Sequence, residues 1–171
     1  MTKSTPTALR RIYRQEDMAL RPASFPDDYR FLYQLLEERY AKEHSNIQGM
    51  ARGELPTFEE HVQYLESGIF DRIEIVVASG RDAGLMYLTT ERVGGCFILD
   101  AFAGRGLALS ACFTFFSGET YPITAHFNAQ NRAGYKTADR LGWTLVREEA
   151  HRLTYELRQP PVDPFIRLRR R

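Results

Sequence analysis

The sequence predicts an α+β fold with one mixed central sheet of about six to seven strands flanked by helices. Three observations carry that prediction. Apolar periodicities follow one another in the order strand, two helices, three strands, helix, strand, helix, two strands. Twice an apolar strand breaks into a glycine or polar turn that opens a helix, at 97–109 and again within 123–143. No internal repeat and no linker rich in Gly, Pro or Ser divides the 171 residues, so the chain reads as one unit with a sizeable core.

The elements follow in order. Residues 18–22 read as a first strand, ended by Pro22 and Ser24. Asp27 and Asp28 suit a helix start, and Tyr29, Leu32, Leu35, Leu36 and Tyr40 then recur at helical spacing. The polar stretch 44–56, with Gly49 and Gly53, reads as a loop. Thr57 with Glu60 three residues on is a capping-box pattern, and Phe58, Val62, Tyr64 and Leu65 extend it into a second helix. Strands are expected at 73–78, 84–89 and 95–99, then a glycine turn and a helix over 107–116. A strand at 123–127, a helix at 132–141 and strands near 144–146 and 153–157 complete the set. The expected organisation is a flexible segment at 1–16, a domain at 17–158 and a basic tail at 159–171.

Composition narrows the partners. A content of 43% apolar residues fits a soluble globular protein, and a net charge of +1 gives no overall attraction to nucleic acid or anionic membrane. Arg10, Arg11, Arg14 and the run 167–171 are locally basic. They read as solvated ends, with a weak nucleic-acid contact as the alternative. Cys96 and Cys112 lie in apolar segments without metal-ligand spacing, as buried thiols of a reducing cytosol would. No apolar run reaches the roughly 18 residues of a membrane span, and no signal-peptide core opens the chain. A cytoplasmic protein without a resident metal is expected.

The glycine turn carries the chemistry. Gly104 and Gly106 stand between an apolar strand and the helix that opens at Leu107. Glycines there let main-chain N–H groups approach a phosphate, and the helix dipole favours its charge. Arg105 would add an ion pair. A tight strand-to-helix turn is the bland alternative.

This stretch resembles the pyrophosphate loop of the GCN5-related N-acetyltransferases (GNAT), in which Gln or Arg, two residues of any kind, Gly, one of any kind, and Gly or Ala follow one another. Here Ala103, Gly104, Arg105, Gly106, Leu107 and Ala108 stand at those places. Ala103 departs from the pattern because it has no side-chain donor. A second similarity begins at Asn128 and Asn131, which suit the amides of a pantetheine arm or simply cap a helix, and ends at Leu141, Gly142 and Trp143. The element order is also that of the GNAT fold, over residues 20–157.

The resemblance implies an acyl-CoA-dependent N-acyltransferase, most simply one that moves acetyl from acetyl-CoA to a primary amine by direct attack. Backbone N–H groups of Ile98, Leu99 and Asp100 would meet the thioester carbonyl. Many relatives carry a tyrosine four residues before the final glycine; here that place holds Ala138, and Tyr135 is the substitute acid. Glu91 and Asp100 are the candidate bases, with His44 and His126 behind them. His44, Asn46 and Ile47 with residues 55–61 resemble a bacterial branch with small amine acceptors, which makes His44, Asn46 and His61 candidate substrate contacts. First-turn polarity on an exposed helix is the other account of His61. A CoA-binding protein without catalysis, and an acyltransferase for nucleic-acid or protein amines, stand as alternatives. Either a monomer or a homodimer fits.

Overall fold

The computed structural model describes residues 17–41 and 54–165; the expectations for 1–16, His44, Asn46, Ile47 and 166–171 lie outside them. Strand β1 is Met18–Pro22, followed by helices α1 (Tyr29–Tyr40) and α2 (Phe58–Glu66). Strands β2 (Phe70–Ala78), β3 (Arg81–Thr89) and β4 (Gly94–Ile98) come next. A short 3₁₀ turn (Asp100–Phe102) leads to α3 (Leu107–Phe116), β5 (Ile123–Asn128) and α4 (Arg132–Arg140), and the chain closes on β6 (Thr144–Glu149) and β7 (Arg152–Leu157).

Seven strands and flanking helices match the expected class, and the pairing adds a detail. The strands form two antiparallel sheets, ordered β1-β2-β3-β4 and β5-β7-β6. The parallel component of the expected mixed sheet is confined to one bridge, Val93 with Thr124. There the Thr124 N–H donates to the Arg92 carbonyl at 2.9 Å. β4 and β5 therefore start side by side and then part. The gap between them is where a ligand has room, as happens generally where neighbouring strands of an α/β sheet diverge.

Side-chain alternation covers both faces of the first sheet. Leu85, Tyr87 and Phe97 face Leu32, Leu35 and Leu36 of α1 and Leu65 of α2. The intervening residues, Met86 and Cys96, belong to the opposite face, which α3 covers with Ala111, Cys112 and Phe115. Phe116 reaches further, lying edge-on to Trp143 at 5.3 Å. Helix boundaries follow their caps. Thr57 and Glu60 form both bonds of the capping box. Gly142, at φ +84°, closes α4, with its N–H on Asp139 and that of Trp143 on Ala138. Past β7 the chain stays on the body: the Val162 N–H donates to the Leu141 carbonyl at 2.9 Å, and Pro161 is buried.

Asp28 stands at the N-cap of α1 but makes no cap bond. Its carboxylate instead takes two hydrogen bonds from Arg21 (2.7 and 2.8 Å) and one from the Ser24 N–H (2.7 Å). The Arg21 bonds hold that carboxyl below the usual carboxylate range, against the opposing effect of burial. Arg21→Gln strands a buried charge and is expected to lower stability at pH 7 by about 2 kcal/mol, read from urea midpoints. A depressed folded-state value means that the pair stabilises above the unfolded carboxyl value near 3.9 and that this is lost as pH falls through the lower folded one. The gap between parent and variant should therefore close in strong acid; a constant gap would contradict this assignment.

Candidate functional site

The parting of β4 and β5 opens a cavity of about 490 Å³, within the range of small-ligand sites. β4 forms one wall and Ala125, His126 and Phe127 of β5 the other, with Phe116 and Trp143 behind. Gly94 lies against the Phe116 ring so closely that a Cβ there would come within 2.8 Å of it. The glycine pair at the head of β4 thus lets aromatic side chains pack onto both sides of the strand.

The glycine turn expected ahead of α3 is present. Gly104 and Gly106 have φ of +74° and +81°, a region that favours glycine. Gly106 caps α3 in that left-handed conformation without a side-chain bond, so the first N–H groups of the helix face outward at the cavity mouth. Ala103, Gly104, Gly106, Leu107 and Ala108 all line the cavity. Arg105 does not: its guanidinium folds back and donates to the Ala101 carbonyl at 2.7 Å, bracing the loop.

Bond accounting along β4 reduces the three expected carbonyl donors to one. The Leu99 N–H is taken by Ala83 (2.9 Å), and that of Asp100 by a carboxylate oxygen of Glu38 (3.1 Å). Leu99 bonded to Ala83 and Thr89 to Val93 fix the phase of the β3–β4 ladder. In an antiparallel ladder of that phase the N–H groups of residues 94, 96 and 98 point away from β3, into the gap. The Ile98 N–H is therefore the donor at the open end.

The expected acid and bases do not converge on this cavity. Glu91 is exposed in the turn before β4, at the closed end of the wedge. Asp100 is exposed beyond the end of β4 and does not line the cavity. Tyr135 packs partly buried against the core, whereas Ala138, three residues on, lines the cavity. Asn131 also lines it while accepting the Gly134 N–H at 3.0 Å as the cap of α4. Asn128 is turned aside, its side-chain oxygen accepting the Gln130 N–H at 2.9 Å.

Among the described residues the ionisable side chains on the cavity wall are Arg39, Arg140, His126 and the thiols Cys96 and Cys112; no carboxylate or tyrosine lines it. His126 Nδ1 lies 3.2 Å from the Thr154 hydroxyl. Burial, assisted by Arg152, holds its imidazole below the ordinary histidine value, which keeps it neutral at pH 7. Cys112 is pushed well up by its contact with Cys96 and by burial, so it stays a thiol. The two arginines, which the sequence did not single out, make the cavity favourable to anions.

His61 occupies a second place. It shares a helix face with Leu65 and is only 8% exposed, in contrast to the exposed first turn that the Glu59-Glu60-His61 run suggests. It lines a smaller cavity of about 70 Å³ beside the first, and Arg39 and Phe97 line both. Its Nε2 has no hydrogen-bond partner among the described residues, an arrangement that costs about 1–3 kcal/mol when left unfilled. Among the described residues no cluster of three metal-ligating side chains occurs, and no helix is long and apolar enough to cross a membrane.

This course of strands around a wedge, with a glycine-opened helix at its mouth, is the N-acetyltransferase (GNAT) fold, with seven strands. Three solved structures of similar shape are a ribosomal L7/L12 alpha-N-protein acetyltransferase, RimL, in complex with coenzyme A; a variant of the spermidine N-acetyltransferase SpeG from Vibrio cholerae; and yncA, a putative acetyltransferase from Salmonella typhimurium with acetyl-CoA. RimL superposes with a TM-score of 0.65 at 16% identity, over 84% of this chain and 95% of its own. SpeG gives 0.66 at 16% identity over 84% and 95%, and yncA 0.63 at 14% over 83% and 94%. No model of a known family and no curated protein matches the sequence.

Proposed function

We propose that this chain is an acyl-CoA-dependent N-acyltransferase, most simply an N-acetyltransferase acting on a primary amine. The observation that carries the reading is the cavity between β4 and β5 with the open N-terminus of α3 at its mouth. The residues fit the donor: Gly104 has nothing within 4 Å of where a Cβ would stand, so a phosphate can approach the backbone closely. Arg39 and Arg140 add positive charge on the wall. Three neighbours of the same shape were solved with coenzyme A or acetyl-CoA.

Acetyl-CoA supplies an acyl thioester; the rest is done by this chain. The Ile98 N–H stabilises charge developing on the carbonyl oxygen. The neutral amine attacks, a C–N bond forms, the C–S bond breaks and coenzyme A leaves as a thiolate. His126, the one imidazole on the cavity wall among the described residues, takes the ammonium proton directly or through water. With Ala138 in place of a phenol, water protonates the thiolate. His126 is the better base than Glu91, Asp100 or Tyr135 because it alone of the four lines the cavity.

Ala103 and Ala138 equally suit a CoA-binding protein without catalysis, and thiol release separates the two. Acetyl-CoA at about 100 times its dissociation constant should stabilise the fold by about 2.7 kcal/mol, visible as a raised Tm. Acetyl-CoA with a panel of primary amines should then release free thiol. A raised Tm without release with any amine would favour the binding protein, and an unmoved Tm would defeat both readings.

A further inference from the structure

The cavity around His61 has a composition that selects its occupant. Among the described residues its lining is apolar apart from Arg39, His61 and the phenol hydroxyls of Tyr64 and Tyr87, and it contains no carboxylate. A polyamine, which needs counter-charges, would find none there. The aromatic side of the wall is rigid: Tyr64 meets Phe70 edge-on at 5.3 Å, and Phe70 meets Tyr87 at 5.6 Å. The Tyr87 side chain lies against Gly95, with its ring and hydroxyl within 2.2–2.4 Å of where a Cβ would stand. Gly95 lines the donor cavity, so this ring forms the partition between the two spaces. At roughly one water-sized group per 10–15 Å³, about 70 Å³ accepts about five to seven non-hydrogen atoms, the upper end being a six-membered ring with one hydroxyl. His61, nine-tenths buried, lines that wall, and its Nε2 has no hydrogen-bond partner among the described residues, which calls for one polar atom on an otherwise apolar guest.

We propose that this cavity holds the body of the acceptor, a primary amine on an apolar ring bearing a hydroxyl, with the hydroxyl on His61 Nε2 and the amine directed past Phe97 and Arg39 toward the thioester. The inference rests on the acyltransferase reading for its chemistry and on the cavity itself for its ligand class. A hydroxyl suits either tautomer of the imidazole, because it both donates and accepts. His61 is a specificity-determining residue in this scheme.

Tyramine, 2-phenylethylamine and spermidine serve as probes, with the parent protein and His61→Phe. Two quantities are read: thiol release with acetyl-CoA, and the imidazole NMR signal of His61, assigned by its loss in the variant. Tyramine should shift the His61 signal saturably and give kcat/KM about tenfold or more above 2-phenylethylamine, with spermidine poorest. His61→Phe should bring the two aromatic amines within about threefold of each other while the KM for acetyl-CoA stays unchanged, which also reports that the variant folds. An unshifted His61 signal overturns the inference, as does spermidine being the best substrate, and the second result leaves the acyltransferase reading standing. A shifted signal without thiol release from any amine supports the ligand class and defeats the acyltransferase reading.

Discussion

His126→Gln should lower kcat/KM for amine acetylation by about 10²–10⁴-fold while leaving acetyl-CoA binding intact. Glutamine keeps a hydrogen-bonding group opposite the Thr154 hydroxyl that now lies 3.2 Å from Nδ1, so strand β5 retains its pairing with β7. What disappears is a base. The pH profile gives the sharper sign. Burial disfavours the imidazolium, so the proton leaves at a pH below the ordinary value of 6.5. In the parent, activity should be on its plateau near pH 7 as far as this group is concerned and fall as pH drops through the depressed value. The variant should lack that acid limb. An unchanged limb in His126→Gln would show that another group takes the proton, and the exposed Asp100 at the end of β4 would be the next to test.

Gly104→Asp should weaken acetyl-CoA by about 100-fold, equivalent to about 2.7 kcal/mol. Aspartate tolerates the left-handed backbone better than most residues, and a Cβ at Gly104 meets nothing within 4 Å. Unfolding of the unliganded protein should therefore change by less than about 1 kcal/mol. The carboxylate would stand where the phosphates of the donor approach the first N–H groups of α3, and repulsion replaces attraction. A loss of affinity without a loss of stability distinguishes a phosphate cradle from a turn that serves only the fold.

Much of the fold was legible because its element ends are marked by local chemistry. Thr57 with Glu60, Gly106, Asn131 and Gly142 each satisfy or release backbone groups at a helix end, and those helices begin or stop where the sequence indicates. Strand ends were less legible where charge is tolerated. β2 begins at Phe70, ahead of the apolar run, because Arg72 finds Glu119 at 2.6 Å and Glu74 at 3.3 Å. β6 runs on through Arg147, Glu148 and Glu149 because it is an exposed edge strand. The two sheets are joined through the β-bridge of Val93 with Thr124, a long-range pairing that no local pattern encodes.

The loop at 103–108 was singled out by its glycines, and Gly104 and Gly106 line the cavity. Side-chain roles were harder, because they depend on direction rather than on type. Arg105 has the charge for a phosphate but is held by the Ala101 carbonyl. Tyr135 and Ala138 differ by three positions on α4, and it is the alanine that reaches the cavity. His61 follows two glutamates and reads as surface, yet its spacing of four from Leu65 places it on the buried face. That spacing was the signal available in the sequence. For Arg39 and Arg140, on helices far apart in the chain, there was none.

The most direct test of the account is a calorimetric titration of acetyl-CoA into the parent protein and Gly104→Asp. The parent should give saturable one-to-one binding with a Kd in the range of about 1 μM to 1 mM typical of enzyme substrates, and the variant about 100-fold weaker binding. No saturable heat from the parent at millimolar donor, or equal affinity in the two proteins, would contradict the assignment of the wedge between β4 and β5 as an acyl-CoA site.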